Sequence, residues 1–506
     1  LDMDQVEAIG LVKMDILAQG GLAVMRDTKR LLAEKGVSVD FKALEPWEDT
    51  EVWKMISSGE ARGVHHIESA AMTTLERMVK VDNIDDLIAI VSVIRPGAAN
   101  NLKKDQFANR AQGLEPVDYT HPSLENALKS TYGVVAYEEH ILQICEDFAG
   151  LSAGRADILR RALVKCHQPK IAEIGREFVA AAKARGRTSV EIKAVWTLVT
   201  GFQGYAFCRA HSTAYGVEAY EAAWLKRYHP AEFLASILTN GKGFYSKLVY
   251  SIECRRLGLD FLPPDVNRSL DHFFPEGNAI RVPLFQITGL SRRTLDRWEN
   301  GKPYESLGDF FMRVNPSADE MSNLIRVGAF DRFGQSRTAQ FWQFRELAQF
   351  PAVAGQGLLL AGNEKPARPD IPLAEPSALD RLRAEQELLG FPVSDHPLAL
   401  FPGVQWDCYC PIVSLKDNHG ERVTIAGMII VDRLHRQEDG RTMKFISLCD
   451  ATGIIECELF ADVYKRFGME TVRHPVIEVT GRVVPFANGN GQTLNVQRIG
   501  SARRRL

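Results

Sequence analysis

The stretch "VTIAGMIIVDRL", residues 423–434, alternates apolar and polar side chains, and the same alternation continues almost to the end of the chain. It returns in "KFISLCDATGIIECELF" (444–460), "PVIEVTGRVV" (475–484) and "TLNVQRIG" (493–500). Because side chains two residues apart on a strand face the same side, this pattern predicts strands that each bury one face. The C-terminal part is therefore predicted to be a barrel of about five strands, of the OB-fold type.

Three phenylalanines of this barrel are candidates for contact with nucleic acid. OB-folds bind single strands through a basic groove and aromatic side chains on which bases stack. Phe445, Phe460 and Phe486 could serve as such platforms. The alternative is that each phenylalanine faces inward and belongs to the core of the barrel.

Upstream of the barrel the pattern is mostly helical, from about residue 50 to residue 240, with apolar residues at helical spacing between glycine and proline breaks. A helix is predicted to end at the "HP" dipeptide, where Pro230 can begin the next helix. Residues 350–380 are rich in Pro, Ala and Gly and are predicted to form a linker or exposed loop. The fold class is therefore multidomain and mainly α, with an α/β segment at the start and a β-barrel at the end.

Composition narrows the class of protein. The chain has 506 residues, is 45% hydrophobic and 25% charged, and carries a net charge of -3, so nucleic-acid binding has to come from local patches. It has no run of 18 apolar residues, which argues against a membrane span. The eight cysteines are scattered and are expected to be free thiols in a reducing cytoplasm rather than zinc ligands.

The segment "GLVKMDIL", residues 10–17, places a cation and a carboxylate in an apolar run that is predicted to be a strand. Lys13 and Asp15 would then project from the same face. One interpretation is a salt bridge in which the two charges neutralise each other. The functional interpretation is that Asp15 holds a divalent metal ion while Lys13 reaches a phosphate group.

Residues 155–227 carry thirteen Lys or Arg against six Asp or Glu. A solvated helical face explains most such runs. Arg160 and Arg161 nevertheless stand side by side on a partly apolar helix, and Arg209 and His211 lie in the Gly- and aromatic-rich stretch "GYAFCRAHSTAYG". We expect these four residues to be the better candidates for binding phosphate groups.

Two short turns with a glycine between apolar residues occur at residues 287–290 ("ITGL") and 327–330 ("VGAF"). Gly289 and Gly328 would allow backbone N–H groups to approach a DNA phosphate, as in helix-hairpin-helix elements. The alternative is an ordinary turn between helices, but two matches in tandem favour the functional interpretation.

Taken together, these motifs resemble the C-terminal part of the bacterial DNA polymerase III alpha subunit, the C-family replicative polymerase. The stretches that carry the resemblance, in their order along the chain, are "GLVKMDIL", "GVHHIES", "RPGA", "TYGVVAYEEHILQI", "LRRALVK", "GYAFCRAHSTAYG", "WLKRYHPAEFLASIL", "LPPDVN", "GAFDRFG" and "GFPVSDHPL".

The resemblance implies a role for the candidate residues and a division into domains. Asp15 is similar to the third of three palm carboxylates that hold two Mg²⁺ ions, and Lys13, Arg160 and Arg161 are similar to contacts with the incoming triphosphate. The implied domains are the end of the palm (1–48), the fingers (49–265), a tandem helix-hairpin-helix module that binds duplex DNA (266–340), a connecting segment (341–400) and an OB-fold domain (401–506).

The connecting segment contains "GQGLLLAG", where the family carries a peptide that binds the sliding clamp. Gln356, Leu359 and Leu360 fit a glutamine followed by spaced apolar residues. The alternative is a loop that folds its leucines back onto the domain. Expected partners are therefore primer-template DNA, deoxynucleoside triphosphates, the sliding clamp and other replisome or translesion subunits.

Several features depart from the family. The usual "GVFQLES" is "GVHHIES" here, with His65 and His66, and "NGKGFYSKLV" resembles the error-prone paralogue more than the main replicase. The chain begins at Leu1, and the family's other two palm aspartates are not among its residues. The expectation is part of a DNA-directed DNA polymerase that is inactive alone; the alternative is a non-catalytic fragment that binds DNA and the clamp.

Overall fold

A computed structural model describes residues 5–6, 9–12, 19–93, 100–202, 208–349, 374–437 and 440–504. The first half of these residues is mostly helical. The helices are α1 (Gly20–Glu34), α2 (Thr50–Ser57), α3 (Ala70–Val79), α4 (Ile84–Val93), α5 (Asn100–Ala111), α6 (Glu125–Leu128), α7 (Glu138–Ile144), α8 (Ala153–Val164), α9 (Gln168–Ala184), α10 (Ser189–Thr200), α11 (Arg209–Tyr228), α12 (Pro230–Asn240) and α13 (Lys247–Arg256). The predicted break at Pro230 is thus confirmed, because α11 ends at Tyr228 and α12 begins at the proline.

A small sheet and a second set of helices follow. The sheet has strands β1 (Asp260–Leu262), β2 (Phe274–Glu276) and β3 (Ala279–Arg281), with β3 in the middle. The helices are α14 (Arg292–Gly301), α15 (Leu307–Val314), α16 (Ala318–Arg326), α17 (Arg337–Gln349) and α18 (Ala378–Leu389).

The C-terminal barrel is closed and has the predicted five strands. They are β4 (Arg422–Arg436), β5 (Thr442–Cys449), β6 (Ile454–Leu459), β7 (Val476–Pro485) and β8 (Gln492–Ser501), in the order β4-β5-β6-β8-β7, and the short helices α19 (Ala461–Phe467) and α20 (Glu470–Arg473) join β6 to β7. The β6–β8 pair is parallel and the other pairs are antiparallel. Alternate residues fill the barrel, as Val423, Ile425, Ile455 and Cys457 show.

The hydrophobic cores do not follow the predicted domain boundaries. One core extends from Val24 to Val393 and includes residues on both sides of positions 48 and 265. A second core, from Leu124 to Phe202, is made by α6 to α10 and the turns between them. The predicted fingers region therefore contains two packing units, and one of them is continuous with the helices of the predicted duplex-binding module.

The strand predicted near the start of the chain is not found in the described residues 5–6 and 9–12. Gln5 and Val6 are helical, and a turn follows at Ile9 and Gly10, where φ is +78°. Leu11 and Val12 are exposed, at 59% and 84%. An apolar run becomes a buried strand only where a neighbouring strand pairs with it, and the strands of the described residues pair among themselves in the small sheet and the barrel.

No helix among the described residues combines the length and the apolar character that a membrane crossing requires. The eight cysteines are all free thiols.

Candidate nucleotide- and DNA-binding surfaces

The N-terminal end of α11 presents two of the predicted phosphate ligands. Arg209 is the first residue of this 20-residue helix, and its guanidinium is about half exposed. His211 follows in the same turn, and its backbone N–H donates to Sγ of the N-cap residue Cys208 at 3.3 Å. Because the first N–H groups and the dipole of a long helix favour anions at this end, the position suits a phosphate.

A carboxylate from another helix already caps this end. The backbone N–H of Arg209 donates to both oxygens of Glu139, at 2.9 Å each. The guanidinium of Arg209 lies 5.8 Å from the centre of the Tyr137 ring and 3.7 Å from Asp85. The helix end thus attracts negative charge in this structure, which is the property that a phosphate site requires.

The two arginines of α8 are paired with carboxylates as well. Arg160 donates to Glu138 of α7, and its Nε donates to Asp157 at 2.9 Å. Arg161 is 70% exposed and lies 2.5 Å from the other oxygen of Asp157. An incoming triphosphate would have to replace these carboxylates as the partner of each guanidinium.

Helix α7 brings three of the four candidates together. Glu138 binds Arg160 of α8, and the next residue, Glu139, binds the end of α11 that carries Arg209 and His211. Tyr137, the N-cap residue of α7, belongs to the large core, whereas Ile141 within the helix belongs to the second core. The candidate phosphate ligands therefore lie where the two packing units meet.

Sequence reasoning missed Glu138 and Glu139, although both lie within "TYGVVAYEEHILQI". Two acidic residues at the start of a helix are read first as charges that suit its own N-terminus. Their proximity to Arg160 and Arg209 depends on packing between helices that are distant in sequence. The only sequence signal is the pair of glutamates before His140, a residue that the structure buries.

Five predicted site residues lie outside the described residues. They are Lys13, Asp15, Gln356, Leu359 and Leu360. Among the residues that the structure does describe, no three His, Cys, Asp or Glu side chains are grouped so that they could hold a metal ion.

The two hairpin turns differ in exposure. Gly289 has φ of +88° and is exposed, between Thr288 and α14. Gly328 also has a positive φ, +83°, but it is buried, and its N–H donates to the carbonyl of Ile325 at 3.0 Å. A side chain at Gly328 would meet the guanidinium of Arg337, which pairs with Asp331. This geometry favours Gly289 over Gly328 as the contact to a DNA phosphate.

A buried carboxylate joins the two hairpins. Glu320 of α16 accepts hydrogen bonds from the N–H of Ser291 at 2.6 Å and from the hydroxyl of Thr294 at 2.9 Å. Burial raises the pKa of Glu320, but the hydrogen bonds from Ser291, Ser317 and Thr294 outweigh burial and lower it to about 2. Glu320 is therefore ionised at neutral pH and holds the N-terminal ends of α14 and α16 together.

The barrel packs against the helical part through the loop between β7 and β8. The side-chain amide of Asn488 donates to the carbonyls of Arg77 and Met78 at the end of α3, at 2.7 and 2.8 Å. Asn490 donates to the carbonyls of Ser57 and Arg77, at 2.9 and 3.1 Å. Carbonyls at a helix C-terminus lack partners within the helix, so the loop satisfies groups that would otherwise need water.

The outer face of β6 is turned toward the helical part. Glu456 of β6 faces the positive charges of Arg62 and Arg77, and its neighbour Glu458 faces Lys104. Burial raises the pKa of both carboxyls. In many OB-folds strands two and three, together with the adjoining loops, bind nucleic acid. Here one of the corresponding strands, β6, bears two acidic residues that face basic side chains of the helical part.

The three predicted stacking residues accordingly have different surroundings. Phe460 is 41% exposed at the end of β6. Phe445 is half-buried beside His435, with 6.3 Å between the ring centres. Phe486 lies in the docked loop, and its N–H donates to the carbonyl of Gly491. Exposure thus favours Phe460 among the three as a surface for a base.

Three family models match successive parts of the chain. The bacterial DNA polymerase III alpha subunit finger domain matches residues 21–186, a helix-hairpin-helix motif matches residues 258–340, and an OB-fold nucleic acid binding domain matches residues 423–500.

Curated relatives cover nearly the whole chain. It is 33% identical to DNA polymerase III subunit alpha of Aquifex aeolicus over 98% of its length and 34% identical to that of Thermus aquaticus over 92%. The chain belongs to the family of bacterial DNA polymerase III alpha subunits. It is also 30% identical, over 95% of its length, to an error-prone DNA polymerase of Symbiobacterium thermophilum.

The chain spans 42%, 40% and 49% of the lengths of these three relatives. Within the polymerase III alpha family, the finger model covers α7 and α8, with Glu138, Glu139 and Arg160, and ends before α11. The helix-hairpin-helix match includes both Gly289 and Gly328, and the OB-fold match includes all five barrel strands. The predicted fold class is confirmed by these matches.

Proposed function

We propose that the chain forms part of a DNA-directed DNA polymerase that adds deoxynucleotides to a primer, in replication or in error-prone repair synthesis. The observation that carries this proposal is that Glu138 and Glu139, consecutive residues of α7, bind Arg160 of α8 and the N-terminal end of α11, which carries Arg209 and His211. The matches to polymerase III alpha subunits support the same function.

The proposed reaction transfers a nucleotidyl group. The 3′-oxygen of the primer forms a bond to the α-phosphorus of the incoming nucleotide, the bond from that phosphorus to the bridging oxygen breaks, and pyrophosphate leaves. Such a reaction needs the reactants to be positioned and negative charge to be stabilised. Guanidinium groups suit this task because each can donate two hydrogen bonds to phosphate oxygens.

In this proposal the protein's own carboxylates hold the cations before the nucleotide binds. Glu138 and Asp157 orient Arg160, and Glu139 occupies the end of α11 beside Arg209 and His211. A triphosphate that enters between α8 and α11 would take over these hydrogen bonds. Arg161, on the same face of α8, would contact it from the more exposed side.

We propose Asp15 as one ligand of the two Mg²⁺ ions and Lys13 as a further contact to the triphosphate. Magnesium, when bound, would neutralise phosphate charge and activate the primer oxygen. The described residues form no group that fits a metal ion, and a single aspartate does not fit two of them.

DNA and protein partners complete the proposal. The turn at Gly289 would bind the phosphate backbone of the primer-template duplex, and the peptide with Gln356, Leu359 and Leu360 would bind the sliding clamp. Further partners would be other replisome or translesion subunits, and the place of action would be the cytoplasm.

The test is single-turnover nucleotide incorporation by the complete polymerase. Arg160→Ala and Arg209→Ala are expected to weaken nucleotide affinity by about 1.5–3 kcal/mol each, the range for a hydrogen bond to a charged group. Arg155→Ala is the matched control, because Arg155 lies on α8 but pairs with Glu173 and Glu177 of α9. An unchanged nucleotide dissociation constant in both variants would overturn the assignment.

Asp15→Asn tests the proposed metal ligand in the same assay. The substitution removes charge but little volume, so incorporation should be abolished while the melting temperature is retained. A non-catalytic fragment that binds DNA and the clamp is the competing function. If this competing function is correct, the 506-residue chain and the complete protein should both bind duplex DNA in a salt-dependent way, and neither should extend a primer.

A further inference from the structure

A cavity of about 420 Å³ lies between three helices of the second helical set. The C-terminal end of α16 and the first turns of α17 and α18 line it. Its lining combines apolar side chains with four arginines, which are Arg326, Arg337, Arg381 and Arg383. A cavity of this size holds a small ligand or one unit of a larger ligand. Because guanidinium groups bind anions, this lining suits a ligand that carries both an apolar part and negative charge.

Arg381 differs from the other three arginines in its partners. Each of the others is close to a carboxylate, in the pairs Arg326–Glu387, Arg337–Asp331 and Arg383–Asp380. Arg381 is exposed, and no ion pair that involves it occurs among the described residues. A guanidinium has several N–H donors in a fixed planar arrangement. Arg381 is therefore the arginine that can bind an anionic ligand without giving up a carboxylate.

The start of α17, at one edge of the cavity, already attracts an anion. Burial raises the pKa of Glu375, but hydrogen bonds from Ser336, Thr338 and the backbone of Arg337 outweigh burial and lower it. Helix α17 has 13 residues, and the dipole of such a helix favours negative charge at its first turn. Thr338, which lines the cavity, belongs to this turn. The helix end thus adds to the preference of the arginines for negative charge.

Phe341 gives the cavity a flat apolar surface. Its ring is half-buried, and Arg345, one turn later on α17, lies 5.2 Å from the ring centre. Ile325 and Ala384 extend the apolar part of the lining. Bases of single-stranded nucleic acid stack on rings of this kind, whereas the bases of a duplex are covered by their neighbours. An aromatic ring beside a guanidinium therefore matches a nucleotide whose base is not paired.

The cavity is close to the turn at Gly289, which is proposed to bind duplex DNA. The C-terminal end of α18 contacts this turn, because the N–H of Thr288 donates to the carbonyl of Leu388 at 2.8 Å. Arg381 comes two turns earlier on α18, or about 10 Å along the helix axis. A DNA strand bound at the turn would reach the cavity within about three nucleotides, since each nucleotide of one strand advances about 3.4 Å along the duplex axis.

We propose that this cavity binds an unpaired nucleotide of a DNA strand, with its base on Phe341 and its phosphate on Arg381. The other three arginines surround the phosphate with positive charge. The proposal goes beyond the proposed polymerase function and rests on it only in taking DNA as the source of the nucleotide. An acidic peptide with an apolar side chain is the competing occupant.

The experiment compares two DNA ligands of the complete polymerase by fluorescence anisotropy. One is a blunt duplex, and the other is the same duplex with a short thymidine overhang. Phe341→Ala and Arg381→Ala should each weaken binding of the overhang duplex by about fivefold or more, as expected for the loss of a stacked base or a charged hydrogen bond. Affinity for the blunt duplex should change less than about twofold, because its bases are paired.

Arg332→Ala is the matched control for the loss of one positive charge. Arg332 belongs to the same helical set and is 38% exposed, but it pairs with Asp265 and does not line the cavity. Its replacement should leave the preference for the overhang unchanged. Phe341→Trp keeps a ring on which a base can stack and should retain the preference. Melting temperatures of all variants show whether a loss of affinity comes from a loss of fold.

A photoreactive base locates the nucleotide without any substitution in the protein. An overhang that contains iododeoxyuridine should crosslink to Phe341 under ultraviolet light, and mass spectrometry identifies the peptide. Crosslinks to other segments, with the overhang preference intact in Phe341→Ala and Arg381→Ala, would overturn the proposal and leave the cavity to an acidic peptide, while the polymerase function would stand. If the complete polymerase binds neither duplex, the proposed function itself fails.

Discussion

The ammonium group of Lys226 lies 2.7 Å from the carboxylate of Glu253, and each of these side chains is 1% exposed. Lys226 also donates to the carbonyls of Glu60 and Arg62, at 2.6 and 2.8 Å. Burial alone would raise the pKa of Glu253, but Lys226, Arg256 and Arg62 hold it below its usual range. The pair fixes the C-terminal end of α11 to α13.

We expect Glu253→Gln to lower the free energy of unfolding by about 3–5 kcal/mol, because it leaves a buried ammonium facing a neutral amide. Denaturant unfolding followed by circular dichroism measures the loss. Arg30→Ala is the control, since Arg30 and Glu34 are 45% and 56% exposed and such pairs contribute less than about 1 kcal/mol. Equal losses in the two variants would contradict the prediction.

The pH dependence of stability should carry a contribution from Glu76. Burial raises its pKa well above the usual value of 4.5, and neither carboxyl oxygen has a hydrogen-bond partner. The folded state therefore keeps a proton that the unfolded state loses above pH 4.5, so this contribution to stability is full below that pH and decreases as pH rises toward the folded pKa.

Glu76→Met should remove this dependence. We expect it to raise stability at pH 8 by about 1–3 kcal/mol, the cost of an unsatisfied buried polar group, with a smaller change at pH 4.5. Melting temperatures of wild type and variant over this pH interval provide the test. A destabilised variant at pH 8 would show that Glu76 has a partner after all.

The barrel should bind single-stranded DNA through Phe460 rather than through Phe445 or Phe486. Phe460→Ala is expected to reduce affinity by about 1–3 kcal/mol, the value for one stacked base. Phe445→Ala and Phe486→Ala should leave it unchanged, because the β7–β8 loop faces the helical part and Phe445 pairs with Glu458 of β6, the strand that is turned toward the same part. Fluorescence anisotropy with an oligothymidine measures the affinity of each variant for single-stranded DNA. A larger loss of affinity in Phe445→Ala or Phe486→Ala than in Phe460→Ala would contradict the docked arrangement of the barrel.

The two hairpin glycines should differ in their effects. Gly289→Ala should weaken duplex binding, since the turn is exposed and a Cβ would lie 3.1 Å from the Asn323 amide. Gly328→Ala should instead lower the melting temperature, because a Cβ there would lie 2.2 Å from the Arg337 guanidinium. Duplex titrations at two salt concentrations and thermal unfolding distinguish the effects. Loss of duplex affinity in a stable Gly328→Ala variant would restore that turn as a DNA contact.

We expect the proposed clamp-binding peptide to bind the clamp with a dissociation constant on the order of micromolar, or about -8 kcal/mol. Leucine fills an apolar pocket less fully than the phenylalanine often found in the family, so binding should be modest. The combined Gln356→Ala, Leu359→Ala and Leu360→Ala variant should lose this affinity in a titration with the clamp. Equal binding by variant and wild type would place the contact elsewhere.

Features encoded by nearby residues could be predicted from the sequence. The alternation of Val423 and Ile425 with polar neighbours specifies the inner face of β4, and Pro230 specifies the start of α12, because both depend on local backbone geometry. The helix that carries Arg160 and Arg161 could be predicted for the same reason.

Contacts between distant segments could not be predicted in this way. Gln19 meets Glu218 across 199 residues, and Asn488 meets Arg77 across 411. Polar side chains such as these look like ordinary caps or loop residues until the fold brings their partners close. The strand predicted at residues 10–17 is not found at residues 10–12, the part of it that the structure describes, because local pattern alone does not reveal whether a strand is paired with a neighbour.

Because the chain has two hydrophobic cores, the proposed nucleotide site could open and close by a movement between them. Arg160 and Arg161 belong to the unit built around residues 124–202, whereas Arg209, His211 and the turn at Gly289 belong to elements of the other unit. A rotation of one unit against the other would widen or narrow the space between the arginines of α8 and Arg209 of α11. The proposed duplex contact at Gly289 would not move relative to Arg209, because both belong to the same unit. Helix α7 would be the hinge of this rotation, because its N-cap residue Tyr137 lies in the first core and Ile141 lies in the second.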